Sequence, residues 1–351
     1  MKPNNTITKP FVHILQKQET ITSLATKFNL ERNSLISFHN EHSSIENRIS
    51  FTGTIPNHLT QILLPAFKIQ NKKEAIQLRN QNSLNFDFES LDHKYGVVIH
   101  IVSDKEPKRF HYITALKCEK AFEFIYDVTF NKGPVYIDYK KPDFLAENLA
   151  ESLSKPLYPI ATKISKSGRI QEVTNQPEIF ERWALEKPKL ETYFQSTIGA
   201  SQIKATHNAY KNVLAIEKAL RRDFFLNLYC SGIYDKYMSA LNISNTVYLP
   251  IYPFMKGIQY SVKQTIQPYL SSTNTIIVHQ KGTVNDPRTS TDILQKKDIP
   301  TYEGEPLTGE LDIQYELSTK EHLIKSIIGS ITLLVNKKLL KKITIEAYLL
   351  T

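Results

Sequence analysis

Residues 20–28 read TITSLATKF, and this short stretch decides how the first part of the chain folds. Its apolar residues Ile21, Leu24, Ala25 and Phe28 follow one another at spacings of three, one and three. That spacing places them on one face of a helix. The stretch therefore predicts a short amphipathic helix, and the threonine that opens it is a residue type favoured at the N-cap.

Strand-like and helical segments flank this helix on both sides. Residues 11–15 alternate as a strand does, residues 32–39 predict a second helix, and residues 62–65 read as a closing strand. Asn40 is expected to end the second helix, because asparagine tolerates the left-handed conformation found at helix ends. The order strand, helix, helix, strand predicts a small βααβ module within residues 1–65.

The module resembles the LysM family of small carbohydrate-binding domains. That family opens with a strand and a Gly-Asp-Thr-Leu turn, and here residues 18–21 read QETI. Its first helix carries a Leu-Ala pair (24–25), its second helix ends at an asparagine (Asn40), and its last strand ends in Ile-Pro, here residues 64–65. The aromatic position before the second helix is also filled, by Phe28.

The resemblance has three departures. Gln18 stands where the family has glycine, and residues 41–59 form a longer stretch than is typical. The family's Pro-Gly turn before the last strand is replaced by residues 55–59, which read IPNHL. The resemblance covers the opening part of the chain only.

The resemblance implies a shallow groove that holds N-acetylglucosamine chains between the loop after the first strand and the loop before the last. The expected ligands are peptidoglycan or chitooligosaccharides. The alternative is a module that contacts protein partners or serves as a spacer. The residues expected to line the groove are Glu19, Thr20, Ile21, Ile49, Ser50, Phe51 and Thr52.

The rest of the chain predicts a linker and a larger domain. Residues 66–93 are polar and rich in Asn, Gln and Lys, which is typical of a linker. Residues 94–351 mix strand and helix patterns without the alternation of a parallel sheet, with one long helix expected over residues 205–237. Hairpin turns are expected at 131–133, 166–168 and 336–338. These patterns predict an α+β fold, in which an antiparallel-sheet domain with inserted helices follows the small module.

A search for catalytic and metal-binding motifs finds none in the sequence. Phosphate-binding, dinucleotide-binding, nucleophile-elbow and zinc-protease patterns are absent. Cys118 and Cys230 are too few for a thiolate zinc site, and they fit a reducing compartment. We therefore expect no catalytic residues, no metal and no cofactor.

Two groups of histidines offer alternatives to that expectation. His39, His42 and His58 could supply metal nitrogens, and His100 and His111 could face each other across a hairpin as a catalytic pair. Ordinary structural roles are favoured for all five.

Charge and hydropathy limit the partners and the location. With 44 Lys plus Arg and 35 Asp plus Glu, the net charge is +9, but the basic residues are scattered. This distribution indicates a mildly basic solvated surface rather than a specific nucleic-acid site. No apolar run of signal-peptide length follows the first residues, and residues 327–335 are too short to span a membrane. We expect a cytoplasmic protein without a transmembrane segment, with export as part of a secretion apparatus left open.

The layout resembles bacterial LysM-bearing accessory proteins of contractile injection machines, including type VI secretion systems. The leading hypothesis is a non-catalytic binding protein for peptidoglycan or for protein partners within such a multi-protein assembly. The alternatives are a cell-wall hydrolase with an unrecognised active site in the C-terminal domain, and a domain that holds an apolar ligand within a curved sheet.

Overall fold

The computed structural model describes residues 10–50, 52–65, 74–76, 78, 82–86, 88–253 and 255–350. Helix and strand are mixed, and the strands include one large antiparallel sheet, which confirms the predicted α+β class. No helix in these ranges is long and apolar enough to cross a lipid bilayer.

The N-terminal module has the predicted order of elements. Strand β1 (Phe11–Ile14) pairs antiparallel with β2 (Gln61–Leu64). Between them lie α1 (Ile21–Lys27), α2 (Arg32–Glu41) and a 3-10 turn (Ile45–Asn47).

Local hydrogen bonds explain the helix ends. The Thr20 side chain accepts a hydrogen bond from the Ser23 backbone N–H, and the Ser23 hydroxyl oxygen accepts one from the Thr20 N–H. Serine thus completes a capping box that usually needs Glu or Gln. Helix α2 continues past Asn40, contrary to expectation, because the Asn40 amide is buried and hydrogen-bonds both backbone groups of Ile49, at 2.8 Å each.

A large antiparallel sheet is the main element of the described chain after the module. Its strands are β3 (Asp92–Val102), β4 (Lys108–Ala121), β5 (Ile125–Lys132), β6 (Tyr136–Ile137), β7 (Ile160–Ser165), β8 (Ile170–Val173), β9 (Asn242–Leu249), β10 (Ile258–Ile266), β11 (Ile276–Val284), β12 (Glu310–Leu317), β13 (Ile324–Val335) and β14 (Lys338–Leu350). The order across the sheet is β8-β7-β5-β4-β3-β14-β13-β12-β11-β10-β9, and β6 pairs with β4. The sheet therefore consists of two meanders. The first contains β3 to β8 and the second contains β9 to β14, and they meet where β3 pairs with β14.

Helices cover one face of the sheet. Four of them connect the two meanders: α4 (Gln176–Tyr193), α5 (Thr197–Tyr210), α6 (Val213–Leu220) and α7 (Phe224–Tyr229). The other two lie within the meanders, α3 (Leu145–Ser154) between β6 and β7, and α8 (Ser290–Leu294) between β11 and β12. The single helix predicted over residues 205–237 is wrong. Asn212 and Asp223 cap new helices there, accepting hydrogen bonds from the Leu214 and Leu226 N–H groups, so the chain turns twice.

Two of the three predicted hairpins are confirmed. β7 and β8 are joined through Gly168, which has a φ of 85°, and β13 and β14 through Asn336 and Lys337, with φ of 50° and 63°. The hairpin predicted at residues 131–133 is wrong. There β5 continues along β4, and the Gly133 N–H still donates to the Ile113 carbonyl.

The two faces of the large sheet have different neighbours. The inner face packs against the helices in one core whose largest fully buried side chain is Trp183. Part of the stretch predicted as a linker contributes to this core, because Leu84, Phe86, Phe88 and Leu91 are buried in it. The module sits on the other face, where Ile328 and Tyr348 join the module's own core.

The contact between module and sheet is rich in polar groups. Helix α2 and the turn after it supply most of them. The contacts are Ser34 Oγ to Glu316 Oε1 (3.3 Å), Ser37 Oγ to Ser326 Oγ (3.2 Å), Lys325 Nζ to Glu41 Oε2 (2.8 Å) and Arg48 Nη1 to the Gly96 carbonyl (3.1 Å). These contacts use one side of the module and leave the β1–α1 loop outside the contact.

Candidate functional site

An open groove with a volume of about 490 Å³ lies on the module. Its two walls are the β1–α1 loop and the segment that leads into β2. Apolar and polar side chains both reach it. The lining residues are Ile14, Leu15, Gln16, Lys17, Glu19, Ile55, Pro56, Asn57, Leu59 and Thr60.

The first wall is a tight turn. Gln18 has a φ of 77°, so the chain takes at this position the left-handed conformation that glycine adopts most readily. The turn is closed by the Glu19 N–H, which donates to the Gln16 carbonyl at 3.1 Å. The turn geometry is thus present without the glycine that the family pattern has there.

The Glu19 carboxylate fixes this wall. It accepts hydrogen bonds from Lys27 Nζ at 2.8 Å, from the Gln16 backbone N–H at 2.9 Å and from His13 Nε2 at 2.7 Å. The Lys27 bond, with the other two, lowers the pKa of Glu19 to about 2. The His13 ring in turn packs edge-on against Phe28, 5.2 Å between centroids. Glu19 therefore holds the loop, and its negative charge is paired with the Lys27 ammonium group.

The second wall is held against the first by backbone hydrogen bonds. The Leu15 N–H donates to the Thr60 carbonyl at 2.9 Å, and the Leu59 N–H donates to the Pro56 carbonyl at 2.9 Å. His58 points away from the groove, since its Nε2 donates to the Glu46 carbonyl at 3.0 Å. The second wall is consequently set by main-chain hydrogen bonds, whereas the Glu19 side chain holds the first.

The structure brings only part of the predicted groove lining together. Glu19 lines the groove, whereas Thr20 caps α1, and Ile21 and Ile49 are buried in the module core. Ser50 and Thr52 are not lining residues, and their hydroxyls hydrogen-bond each other at 2.9 Å. Phe51 lies outside the described residues.

The second wall was expected at residues 49–52, but it is formed by residues 55–60. The available signal was the replacement of the family's Pro-Gly turn by residues 55–59, which marks where the loop before the last strand reorganises. The longer stretch after α2 shifts the wall several residues beyond the predicted segment.

The three histidines considered as metal ligands, His39, His42 and His58, are all engaged in hydrogen bonds. His39 Nδ1 accepts from the Leu63 N–H at 3.1 Å, so its Nε2 carries the proton that is donated to the Asn47 carbonyl at 3.0 Å. Burial lowers the pKa of His39, in agreement with this neutral tautomer. His42 Nδ1 donates to the Phe38 carbonyl at 2.9 Å. No group of three His, Cys, Asp or Glu side chains in the described ranges could hold a metal ion.

His100 and His111 do not face each other. The strand register pairs His100 with Arg109 and His111 with Val98. The His111 ring is stacked on Tyr136 instead, with centroids 4.9 Å apart and planes 7° apart. Burial, together with the neighbouring Arg109, lowers the pKa of His111. The geometry is that of an aromatic stack rather than of an acid–base pair.

The inner face of the large sheet is lined by a continuous core. Trp183, Tyr95, Tyr229, Tyr260 and Tyr315 are among its fully buried side chains. Several phenol hydroxyls bond within this core, for example Tyr95 to the Ile324 carbonyl at 2.7 Å. These buried aromatic residues of the sheet and of the helices on it therefore act in packing.

Comparisons with known proteins give little further information. No family model matches the chain, and no curated protein matches it. Among solved structures, one described as lipid-protein interactions in lipovitellin is similar at a TM-score of 0.37 with 9% identity, over 77% of this chain and 25% of that one. The chain thus spans about a quarter of the length of that structure, and similarity at this level establishes neither fold nor ligand.

Proposed function

We propose that the chain is a non-catalytic bacterial binding protein whose LysM-like module holds an N-acetylated glycan, peptidoglycan or chitooligosaccharide, in the groove between the β1–α1 loop and residues 55–60. The larger domain carries the module within a multi-protein assembly of the contractile injection type. The two free cysteines, Cys118 and Cys230, suit assembly in the reducing cytoplasm.

The observation that carries this proposal is the position of the groove. It lies between the two loops that frame a βααβ module, which is where the resemblance to the LysM family expects sugar to bind. The left-handed backbone at Gln18 is the conformation that the glycine of the family pattern favours, which supports the proposal.

The lining chemistry suits a sugar with acetamide groups. Ile14 and Ile55 offer apolar surface for a sugar face or an acetamide methyl, and Gln16 and Asn57 offer amide groups for hydroxyls. Glu19 is committed to Lys27 and His13, so it orders the wall. A neutral ligand therefore meets a groove without an unpaired carboxylate at this position.

The mode of docking leaves the groove available. The module contacts the large sheet through α2 and the turn after it, whereas the groove is formed by β1, the β1–α1 loop and the segment before β2. Ligand binding accordingly requires no separation of the module from the sheet.

The test is retention of the full chain on insoluble peptidoglycan, with soluble chitohexaose as competitor. Ile14 is 67% exposed in the groove, and Ile198, on α5, is 74% exposed far along the chain. We expect Ile14→Asn to weaken binding about tenfold through the lost apolar contact, and Ile198→Asn to leave it unchanged. If the unmodified chain is not retained on peptidoglycan at low salt, the proposal is overturned.

A further inference from the structure

Strand β9 (Asn242–Leu249) forms one end of the large sheet and leaves an open edge there. It pairs with β10 on one side, and no other described strand pairs with it. Its eight residues read NISNTVYL, so the strand contains neither a charged residue nor a proline. Edge strands are normally short, charged, interrupted by proline or covered, because an open edge is a template for another strand. β9 is longer than a typical strand and lacks such charge.

The opposite end of the sheet has this protection. β8 is four residues long and includes the exposed Glu172. Its outer edge is covered, because the Val173 N–H donates to the carboxylate of Glu217 on α6 at 3.3 Å. The sheet therefore has one closed end and one end that is open to a further strand.

The strand register shows which backbone groups of β9 point outwards. The Ile266 N–H donates to the Leu241 carbonyl at 2.8 Å, which continues the register that pairs β10 with β9. Because the hydrogen-bonding direction alternates along a strand, the odd-numbered residues of β9 bond to β10 and the even-numbered ones face the open edge. The residues that face outwards are Asn242, Ser244, Thr246 and Tyr248.

The two ends of this edge are bonded within the chain. The Asn242 carbonyl accepts a hydrogen bond from the Met238 N–H at 3.1 Å. The Tyr248 carbonyl accepts one from the Asn227 side-chain amide at 3.2 Å. A further strand can therefore pair with the middle of the edge, while its two ends are already fixed.

The middle of the edge is open and complementary to its own copy. Ser244 and Thr246 are exposed, and their backbone N–H and C=O groups have no partner within the described ranges. A second β9 strand that runs antiparallel satisfies these groups when Ser244 of each chain lies opposite Thr246 of the partner subunit. Each of the two residue pairs then exchanges both of its backbone hydrogen bonds.

The side chains of β9 agree with the same register. It places Asn245 on a two-fold axis, opposite Asn245 of the partner subunit, with Ile243 and Val247 opposite each other on either side. Asn245 Oδ1 is buried and has no hydrogen-bond partner in the described part of the chain. The amide of Asn245 of the partner subunit can donate to it. Ile243 and Val247 already pack partly against the core, so the pairing extends that apolar contact.

We propose that the chain forms a two-fold symmetric dimer in which the β9 edges of two copies pair antiparallel. The occupant of the edge is a second copy of this chain because one register satisfies the open backbone groups and the unpaired Asn245 amide together. The chain carries a net charge of +9, yet the uncharged β9 brings no like charges opposite each other. The axis is perpendicular to the sheet, so the two sheets become one and both modules lie on the same face.

The first experiment measures the oligomeric state of the full chain by analytical ultracentrifugation. We expect the native chain to sediment as a dimer at about 100 µM, and Thr246→Pro to weaken dimerisation about tenfold or more. Proline removes the outward N–H, which bonds nothing within the described chain, so the fold of each copy is retained. Thr246→Val, the matched control, keeps this N–H and should dimerise as the native chain does.

The second experiment tests the register by a cross-link. Directly opposed residues of a non-hydrogen-bonded antiparallel pair have Cα atoms about 4.5 Å apart, a distance that a disulfide spans. We expect Asn245→Cys to form a covalent dimer under mild oxidation. Ile243→Cys should not, because the two copies of this position lie roughly 13 Å apart along the strands. The native chain, with Cys118 and Cys230, is the blank.

Each outcome decides the proposal. A native chain that is monomeric at the same concentration overturns it and leaves the edge to a strand of a different protein. Dimerisation of Thr246→Pro with native affinity overturns the role of β9. If Thr246→Pro loses the native circular dichroism spectrum, the cross-link decides: a covalent dimer of Asn245→Cys without one of Ile243→Cys supports the pairing, and any other result overturns it.

Discussion

Gln18 holds the left-handed turn that forms one wall of the groove. A non-glycine residue with a φ of 77° is strained, and removing its β-carbon relieves that strain. We expect Gln18→Gly to raise the free energy of unfolding by about 0.5–1 kcal/mol, the net of relieved strain and of the greater freedom of glycine in the unfolded chain. Chemical denaturation measures this value.

The control for that substitution is Gln16→Gly, two residues earlier, where φ is not positive. There glycine only adds freedom to the unfolded chain, so the free energy of unfolding should stay the same or fall. A stabilising effect at Gln16, or a loss of stability at Gln18, contradicts the role given to the turn.

Glu19 gives the module an acid-sensitive element. Its pKa is lowered to about 2, chiefly by the hydrogen bond from Lys27, against a usual value of 4.5. A carboxyl with a lowered pKa stabilises the fold above its unfolded value, and that contribution is lost as pH falls from about 4.5 to 2. Glu19→Gln should flatten the pH dependence of unfolding in this window, whereas Glu123→Gln, at an exposed hairpin tip, should retain it.

The contact between α2 and the large sheet contains a buried carboxyl group, that of Glu316 on β12. Glu316 is fully buried beneath Ser34, and burial raises its pKa to about 8, opposed by the charge of Lys325 and reinforced by Glu41. An acid with a raised pKa stabilises the fold below its unfolded value of 4.5, and that contribution is lost as pH rises towards 8. The uncharged form is therefore the one that α2 covers.

The corresponding prediction concerns Glu316→Gln. The amide keeps a carbonyl oxygen for the Ser34 hydroxyl and carries no charge. We expect the variant to gain stability relative to the native chain as pH rises from 5 to 8, by a few kcal/mol at the upper end. Unfolding by denaturant across this range measures it. Parallel pH profiles for variant and native chain would show that Glu316 does not titrate on folding.

Asp223 marks the point where the predicted long helix breaks. It caps α7 by accepting from the Leu226 N–H at 3.0 Å, and it pairs with Lys132 on β5 at 2.7 Å. We expect Asp223→Ala to cost about 1–3 kcal/mol of unfolding free energy, and Asp223→Asn, which keeps the cap, to cost less. Equal losses in the two variants would assign the whole effect to the Lys132 pair.

Element by element, the sequence predicts what periodicity and turn chemistry determine locally. The turns at Gly168 and at Asn336 and Lys337 were predicted from such patterns. The break at Asp223 was missed because the apolar periodicity runs across it, although Asp is a favoured N-cap. The turn expected at residues 131–133 failed because strand pairing with β4 outweighs a local Asn-Lys-Gly signal.

At the scale of the whole molecule, neither the order of the strands in the sheet nor the place where the module docks on it could be predicted. The pairing of β3 with β14 joins residues far apart in the chain, and no local pattern specifies it. The first wall of the groove could be predicted from the turn motif at residues 18–21. The second wall could not, because its position depends on how residues 41–59 fold. The buried apolar residues of 84–91 were hidden by the polar composition around them.

The central strand pair also makes the large sheet dependent on its last element. Removing β14 leaves β3 and β13 as unpaired edges in the middle of the sheet. Exposed edges of this length promote association between chains. We expect a chain ending at residue 337 to elute as large aggregates in size-exclusion chromatography, while Leu339→Ala, a change at a partly exposed site on β14, leaves a well-defined species. A discrete folded species from the shortened chain contradicts the central role of β14.

The place of β14 beside β3 has a consequence for synthesis on the ribosome. The module and the first meander are translated long before β13 and β14, and the surface on which α2 rests includes Ser326, Ile328 and Tyr348 of these two strands. The nascent chain accordingly holds its module unanchored until β13 and β14 have been translated. A product that terminates before β13 lacks that anchorage, so its groove has no fixed orientation relative to the sheet.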